Sequence, residues 1–142
     1  MPAEQLSTDL VGTRFEPERV SWNAKDTMLY ALGVGCRPSV ELEFLYEGRG
    51  PSVLPTYAVI PGMRAMGNIS KAVKLPLMRL LHGEQGIELL RPLPAEAELT
   101  MDSSISEVWD KGKSGVIGVV AEFSDAEGLV FRTHSTLFYL GG

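Results

Sequence analysis

The segment that decides the fold is LLHGEQGIELLRPLP, residues 80–94. After two leucines comes a polar cluster of four residues, which are His82, Gly83, Glu84 and Gln85. The segment then ends in a strand-like run closed by two prolines. The chain before this segment is repeatedly interrupted by Gly and Pro, whereas the chain after it has the pattern of antiparallel strands. Because polar groups between apolar runs lie near buried surface, their hydrogen bonds must be satisfied there. The segment therefore marks the boundary between two differently built halves of the chain.

The polar cluster at residues 82–85 has two interpretations. It is either a turn that caps a strand, with Glu84 and Gln85 bonded to nearby backbone, or a loop that lines a functional site or a seam between subunits. His82 is the better candidate of the two histidines for acid–base chemistry, since an unperturbed pKa of about 6.5 permits it. Neither His82 nor His134 stands at a spacing from Asp or Cys that is typical of a triad or a metal site. No catalytic residue and no metal ligand is therefore predicted.

The second half of the chain alternates between apolar and polar residues, as half-buried strands do. One strand carries Leu99 and Met101 on a single face, and its pattern shifts phase at Val108, which predicts a bulge. Turn-forming residues at 110–115 and 124–128 separate this strand from two further ones. Together with the strand-like run at residues 87–91, the pattern predicts an antiparallel meander of four long strands joined by tight hairpins.

A first helix is predicted at residues 24–33. Asn23 is a favourable N-cap, and Asp26 places a carboxylate where it stabilises the positive end of a helix. Glycines follow where the helix should end. Three apolar side chains are expected to pack in the core: Met28, Leu32 and Val34.

A second helical segment is predicted within residues 54–67. It is apolar enough to be buried, but a proline inside a helix costs about 3 kcal/mol and a glycine about 1 kcal/mol. Because Pro61 and Gly62 stand in its middle, the segment is expected to be broken or helical in its second half only. The apolar face of the sheet must be covered by something, and these two segments are the candidates. The sequence therefore predicts a single α+β domain over residues 1–142, with an antiparallel sheet wrapped around a broken helix.

Composition excludes several classes of protein. The chain has 142 residues, 44% of them hydrophobic, a net charge of −5 and no stripe of Lys and Arg, so it is globular and nucleic acid is not an expected partner. No apolar run reaches the roughly 18 residues needed to cross a bilayer. The N-terminus lacks the apolar core of a signal peptide, and the single Cys36 fits a reducing compartment. A soluble, cytoplasmic protein with no membrane partner is expected.

Seven short motifs, taken in order, resemble one family: residues 30–35 (YALGVG), 44–47 (FLYE), 54–56 (LPT), 81–85 (LHGEQ), 92–94 (PLP), 110–112 (DKG) and 138–140 (FYL). Together they resemble the N-terminal half of MaoC-like dehydratases, and within these the 2-enoyl-CoA hydratase 2 part of peroxisomal multifunctional enzymes type 2. The resemblance covers about residues 19–142. It implies a hot-dog fold, in which an antiparallel sheet wraps around a central helix.

The resemblance also implies a function and a location. Such proteins have two hot-dog halves and convert trans-2-enoyl-CoA to (3R)-hydroxyacyl-CoA reversibly and without a cofactor. Their catalytic residues lie in the second half, in a pattern like Asp-x-Asn-Pro-x-His, and none of the five aspartates here has a His five residues later. This chain is therefore expected to be the non-catalytic half, acting on long or bulky acyl-CoA in fatty-acid or steroid side-chain degradation. A eukaryotic member would be peroxisomal.

The expected partners are acyl-CoA and a catalytic hot-dog half or subunit, with a homodimer if no such half is present. In this family the first half has a disrupted central helix, which leaves room for an acyl chain. The expected acyl-binding residues are Tyr57, Ile60, Met63 and Met66. Two alternatives remain: a hot-dog acyl-CoA thioesterase in which Glu84 or His82 assists water, and an assembly domain without a ligand. The first is disfavoured because segment 54–67 holds no carboxylate.

Overall fold

A computed structural model describes residues 5–141 and contains one five-stranded antiparallel sheet with the strand order β1-β3-β4-β5-β2. The strands are β1 (Glu18–Trp22), β2 (Leu80–Leu89), β3 (Ala97–Asp110), β4 (Ser114–Asp125) and β5 (Gly128–Leu140). Tight turns connect β3 to β4 and β4 to β5, so three of the four strands form the predicted meander. The prediction is wrong for β2, which pairs with β5 at the sheet edge and is not joined to β3 by a hairpin. The register of β3 against β4 shifts between Ile105 and Glu107, which confirms a bulge close to Val108.

The first helix, α1 (Ala24–Gly33), has the predicted start. The Asn23 side chain accepts from the Asp26 backbone N–H, and the Asp26 carboxylate accepts from the Asn23 backbone N–H, which completes a capping box. The predicted core contacts of this helix are wrong in part, because Leu32 and Val34 are exposed. The buried residues are the small Thr27 and Ala31, which allow the helix to pack closely.

The second helical segment has three parts. A 3₁₀ turn (Pro55–Ala58) leads into α2 (Val59–Gly67), and α3 (Ile69–Ala72) follows after Asn68. Pro61 does not interrupt α2, because it lies in the first turn, where backbone N–H groups lack helical acceptors. The interruptions instead lie at the two ends of α2, where the segment changes from 3₁₀ to α geometry and where α3 begins.

Helix α2 covers the inner face of the sheet. Its buried residues are Pro61, Gly62 and Ala65. A β-carbon on Gly62 would lie 3.1 Å from the side chain of Thr133, so glycine lets α2 approach β5 closely. The inner face beneath the helical segment includes Phe123 and Phe131, whose rings stack with centroids 4.2 Å apart. This is the predicted hot-dog architecture.

The segment 80–94 differs from the prediction. Residues 82–85 form neither a turn nor a loop, because all four lie inside β2. The register against β5 shifts between His82 and Glu84, so Gly83 is the extra residue of a bulge. The bulge absorbs the irregular sequence, and the strand continues through it to Leu89. No helix among residues 5–141 is long and apolar enough to cross a membrane.

Candidate functional site

The two edges of the sheet are built differently. On the β3 side, β1 pairs over five residues, and the chain before it continues along β3. Gly12 N–H donates to Ile105 O, Phe15 N–H donates to Ser103 O, and Ile105 N–H donates to Thr13 O. Short, irregular segments therefore pair with β3 over most of its length, and this side of the sheet ends in the five-residue β1. A short edge strand is a common protection against unwanted strand addition.

On the other side of the sheet, no strand within residues 5–141 pairs with the outer edge of the ten-residue β2, which we call the open edge. Leu90 N–H donates to Val130 O, in register with the β2–β5 pairs. Since antiparallel strands alternate between hydrogen-bonded and non-bonded pairs, Gln85, Ile87 and Leu89 direct their backbone N–H and C=O groups away from β5. The side chains of Ile87 and Leu89 pack against the core. The edge therefore presents unpaired backbone groups on a strand that is itself fixed to the core.

Gln85 anchors the middle of this edge to the sheet. Its Oε1 accepts a 3.0 Å hydrogen bond from Ser135 Oγ, and its Nε2 donates to Gly86 O at 3.1 Å. Ser135 is buried, whereas Gln85 is half-buried. The two bonds hold the Gln85 side chain on the inner side of the edge strand.

The other polar residues of the cluster point towards solvent. His82 is exposed, and its Nε2 lies 3.1 Å from Glu84 O across the bulge. Glu84 is exposed as well, and its Oε2 accepts a long hydrogen bond of 3.4 Å from Thr136 Oγ1. The structure therefore brings His82, Gly83, Glu84 and Gln85 together on the open edge. Within the described residues, no carboxylate or thiol is hydrogen-bonded to the His82 ring.

Tyr57 belongs to an aromatic cluster in the core. Its ring makes edge-on contacts with Trp22 and Tyr30, both with centroids 5.4 Å apart. Burial, with a smaller contribution from the Asp26 carboxylate, raises the pKa of Tyr57 to about 12. The Tyr30 hydroxyl donates to Thr56 Oγ1 at 2.8 Å, so this cluster also joins α1 to the start of the second helical segment.

The other three predicted acyl-binding residues differ in exposure. Ile60 is 44% exposed and Met63 is 55% exposed, on the side of α2 that faces away from the sheet, while Met66 is half-buried against the core. Three surface cavities are described within residues 5–141, and none of these three is lined by Tyr57, Ile60, Met63 or Met66. The four residues share one helical segment, with two of them presenting apolar side chains to the outside.

Further exposed apolar residues lie next to the open edge. Leu77 is 82% exposed and Met78 is 95% exposed, in the 3₁₀ turn (Leu77–Arg79) that leads directly into β2. Leu81 on β2 is also exposed. The signal in the sequence is the run of apolar residues between Pro76 and His82, which follows no period that would bury one face. Large apolar side chains grouped at one place on a surface mark an interaction site.

Comparison with known proteins identifies the family. The family described as the MFE-2 hydratase 2 N-terminal domain matches residues 20–141. The chain is 38% identical over 143 residues to 3-hydroxyacyl-thioester dehydratase Y of Mycobacterium tuberculosis, covering 96% of this chain and 49% of that protein. It is 31% identical to peroxisomal enoyl-CoA hydratase 2 of Arabidopsis thaliana, covering 97% of this chain and 48% of that protein.

The fold agrees with these relatives. The full-length peroxisomal multifunctional enzyme type 2 of Drosophila melanogaster superposes with a TM-score of 0.73 and 31% identity, covering 88% of this chain and 23% of that one. The chain spans about half the length of the two curated relatives it matches. It belongs to the MFE-2 hydratase 2 N-terminal domain family, whose structural neighbours are MaoC-like dehydratases of the hot-dog fold.

Proposed function

We propose that this chain is the substrate-binding, non-catalytic hot-dog half of an (R)-specific 2-enoyl-CoA hydratase. The observation that carries the proposal is the contrast between the two edge strands, because β1 has only five residues whereas β2 has ten. A ten-residue strand whose edge is unprotected is a template for adding another strand. In this proposal the added strand belongs to a catalytic hot-dog, so that two halves form one continuous sheet.

The exposed apolar residues at the start of β2 support the same assembly. Leu77, Met78 and Leu81 would be buried by a partner whose strand runs along β2. Burying a Leu or Met side chain contributes about 1.5–3 kcal/mol, so these three residues could supply much of the affinity. Where no catalytic half is present, a second copy of this chain would occupy the same edge and form a homodimer.

The chemistry would be divided between the halves. The catalytic half would supply the base that activates water and the acid that protonates the α-carbon, with donors for the thioester oxyanion. This half would bind the acyl chain along the outer side of α2, where Ile60 and Met63 are exposed. Methionine adapts to varied shapes, which suits a variable acyl chain. Binding energy from the acyl chain would then orient the reacting carbon atoms.

The experiment is a chain-length comparison in the complex with a catalytic half. Ile60→Ala/Met63→Ala should raise KM for a long trans-2-enoyl-CoA about tenfold, because apolar contact along the chain is lost, and leave the crotonyl-CoA reaction nearly unchanged. Lys25→Ala on α1 serves as the control, since Lys25 is an exposed helix residue outside the acyl surface. An equal effect of the double variant on both substrates would contradict the assignment of the acyl site.

A further inference from the structure

One row of apolar side chains crosses four strands of the sheet close to the β3–β4 turn. The register places Trp109 beside Val116 and Val116 beside Phe138. Phe138 in turn lies beside Leu81 on the edge strand β2. Because neighbouring strands are about 4.8 Å apart, these four residues form a continuous band roughly 14 Å long, which we call the apolar row.

The apolar row lies on the outer face of the sheet, away from the helices. Three core residues, Val108, Ile117 and Leu137, each directly adjoin a residue of the row in the chain. Since successive side chains of a strand point to opposite faces, the row faces outwards, and the paired residue on β2 shares its face. Val116 agrees with this placement, because it is buried without belonging to the core cluster.

Solvent reaches both ends of this row. Trp109 is 58% exposed at one end and Leu81 is 53% exposed at the other, while Phe138 is half-buried between them. A polar row is the usual pattern for the solvent side of an antiparallel sheet. Such a row lies further along the same face and consists of Asp102, Glu122, Arg132 and Glu88. The apolar row is therefore an exception that packing of the hot-dog core does not explain.

Opposite charges flank the apolar row on its two sides. Away from the turn, the register places Glu107 on β3 and Glu84 on β2 in the adjacent row of the same face. Trp109 Nε1 donates to Glu107 Oε2 at 3.0 Å, which holds that carboxylate against the row. On the side of the turn lie the exposed Lys111 and Lys113. Within residues 5–141, no salt bridge joins any of these four charged groups to another residue.

This arrangement is self-complementary. If a second copy packs its outer face on the first about a two-fold axis along the row, row meets row and the two flanks change places. The lysines of each copy then face the carboxylates of the other, and the Trp109 side chains of the two copies meet. The axis runs across the strands, so the strands of the two sheets stay roughly aligned, as in other face-to-face packings.

We propose that the outer face is a self-association surface, on which a second copy of this chain docks through the apolar row. This surface is distinct from the open edge, where a partner would add a strand beside β2. Leu81 lies at the corner between the two surfaces, whereas Trp109 lies at the far end of the row, on β3. With both surfaces occupied by copies of the chain, the isolated protein would be a tetramer.

The first test uses Trp109 as a probe, because the chain has only two tryptophans and Trp22 is buried. Acrylamide quenching of the full chain should decrease as the protein concentration rises, in step with the mass measured by light scattering. Trp109→Glu should halve that mass, because association would bury a carboxylate against apolar side chains. Leu29→Glu is the matched control, since Leu29 is 56% exposed on α1, and it should leave the mass unchanged.

The second test isolates this surface by blocking the edge. Gln85→Pro, which lacks the edge donor, should remain a dimer, and Gln85→Pro/Trp109→Glu should be a monomer. In the Gln85→Pro chain, Lys111→Glu/Lys113→Glu should raise the dissociation constant at least about tenfold, because like charges then face each other. Adding Glu107→Lys should restore part of the affinity.

Three results would overturn the proposal. One is an equal mass for Trp109→Glu and the unmutated chain. Another is a monomeric Gln85→Pro chain, since the outer face would then hold no second copy. The third is quenching of Trp109 that is independent of protein concentration and falls only when a catalytic hot-dog half is added, because the occupant would then be that half.

Discussion

Gly83 lies directly against the aromatic ring of Phe138 across the β2–β5 pair. A β-carbon at position 83 would overlap two atoms of that ring. The glycine is the extra residue of the β2 bulge, so the close approach occurs where the strand changes register. The shape of the open edge therefore depends on the absence of a side chain at this residue.

Gly83→Ala should destabilise the protein. The added methyl group must displace either the Phe138 ring or the bulge, and overpacking of this kind costs about 1–3 kcal/mol. Urea denaturation would measure the loss. Gly67→Ala is the control. Gly67 ends α2, and a β-carbon at this position would have no atom within 4 Å. The stability of this variant should therefore be unchanged or slightly higher, because alanine favours the helix over glycine. Equal stabilities for the two variants would show that the contact with Phe138 carries no constraint.

Gln85→Pro should prevent assembly at the β2 edge while preserving the fold. The Gln85 N–H points away from β5, so proline removes a donor that only a partner strand would use. Gln85→Ala loses the same bond from Ser135 but keeps the N–H, which makes it the matched control. Light scattering should give a smaller mass for the proline variant than for the alanine variant. Identical masses for the proline and alanine variants would show that the chains do not assemble through the β2 edge.

The stability of the protein should fall at alkaline pH because of Tyr57. The pKa of this phenol is raised to about 12 in the folded state, mainly by burial, and is near 10 when unfolded. The group therefore contributes stability that is complete below about pH 10 and is lost as the pH rises towards 12. Tyr57→Phe should flatten this part of a stability-against-pH curve measured by urea denaturation. If the stability of Tyr57→Phe fell with rising pH as steeply as that of the unmutated chain, ionisation of Tyr57 would not be the cause of the alkaline loss.

The turn between β4 and β5 should weaken in acid. Hydrogen bonds from Arg91 and from the Glu127 N–H hold the pKa of Asp125 below its usual value. Since the folded-state pKa is the lower one, the contribution is present above the unfolded pKa of about 4 and is lost as the pH falls below it. Asp125→Asn should reduce the acid dependence of stability. The effect should be modest, because the side chains are near the surface. If the stability of Asp125→Asn fell in acid as steeply as that of the unmutated chain, Asp125 would make no contribution to the acid dependence.

The sequence predicts the elements with strong local signals. Asn23 caps α1 as expected, and Asp26 lies at the positive end of the helix, because capping depends only on residues a few positions apart. The hairpins after Asp110 and Asp125 lie where turn residues separate apolar runs. These features require no knowledge of distant contacts, so local chemistry is sufficient to predict them.

Features set by tertiary packing were not predictable in this way. Leu32 and Val34 were expected in the core, but α1 buries Thr27 and Ala31 instead, since the choice of buried face depends on what the helix meets. The sequence pattern does not identify residues 82–85 as part of a strand, because a bulge at Gly83 breaks the alternation that defines one. Likewise, the cavity lined by Leu6, Leu75, Asp110 and Tyr139 joins residues from four separate parts of the chain, and only the folded arrangement brings them together.

The most direct test of the proposed function is a hydration assay with crotonyl-CoA, performed on the pure chain and on the chain mixed with a separately produced catalytic hot-dog half. The pure chain should be inactive, because it holds no Asp-x-Asn-Pro-x-His pattern. Equimolar mixing should restore hydration to (3R)-hydroxybutyryl-CoA, with the activity eluting at the mass of a complex of both chains. Measurable hydration by the pure 142-residue chain would contradict the assignment of a non-catalytic half.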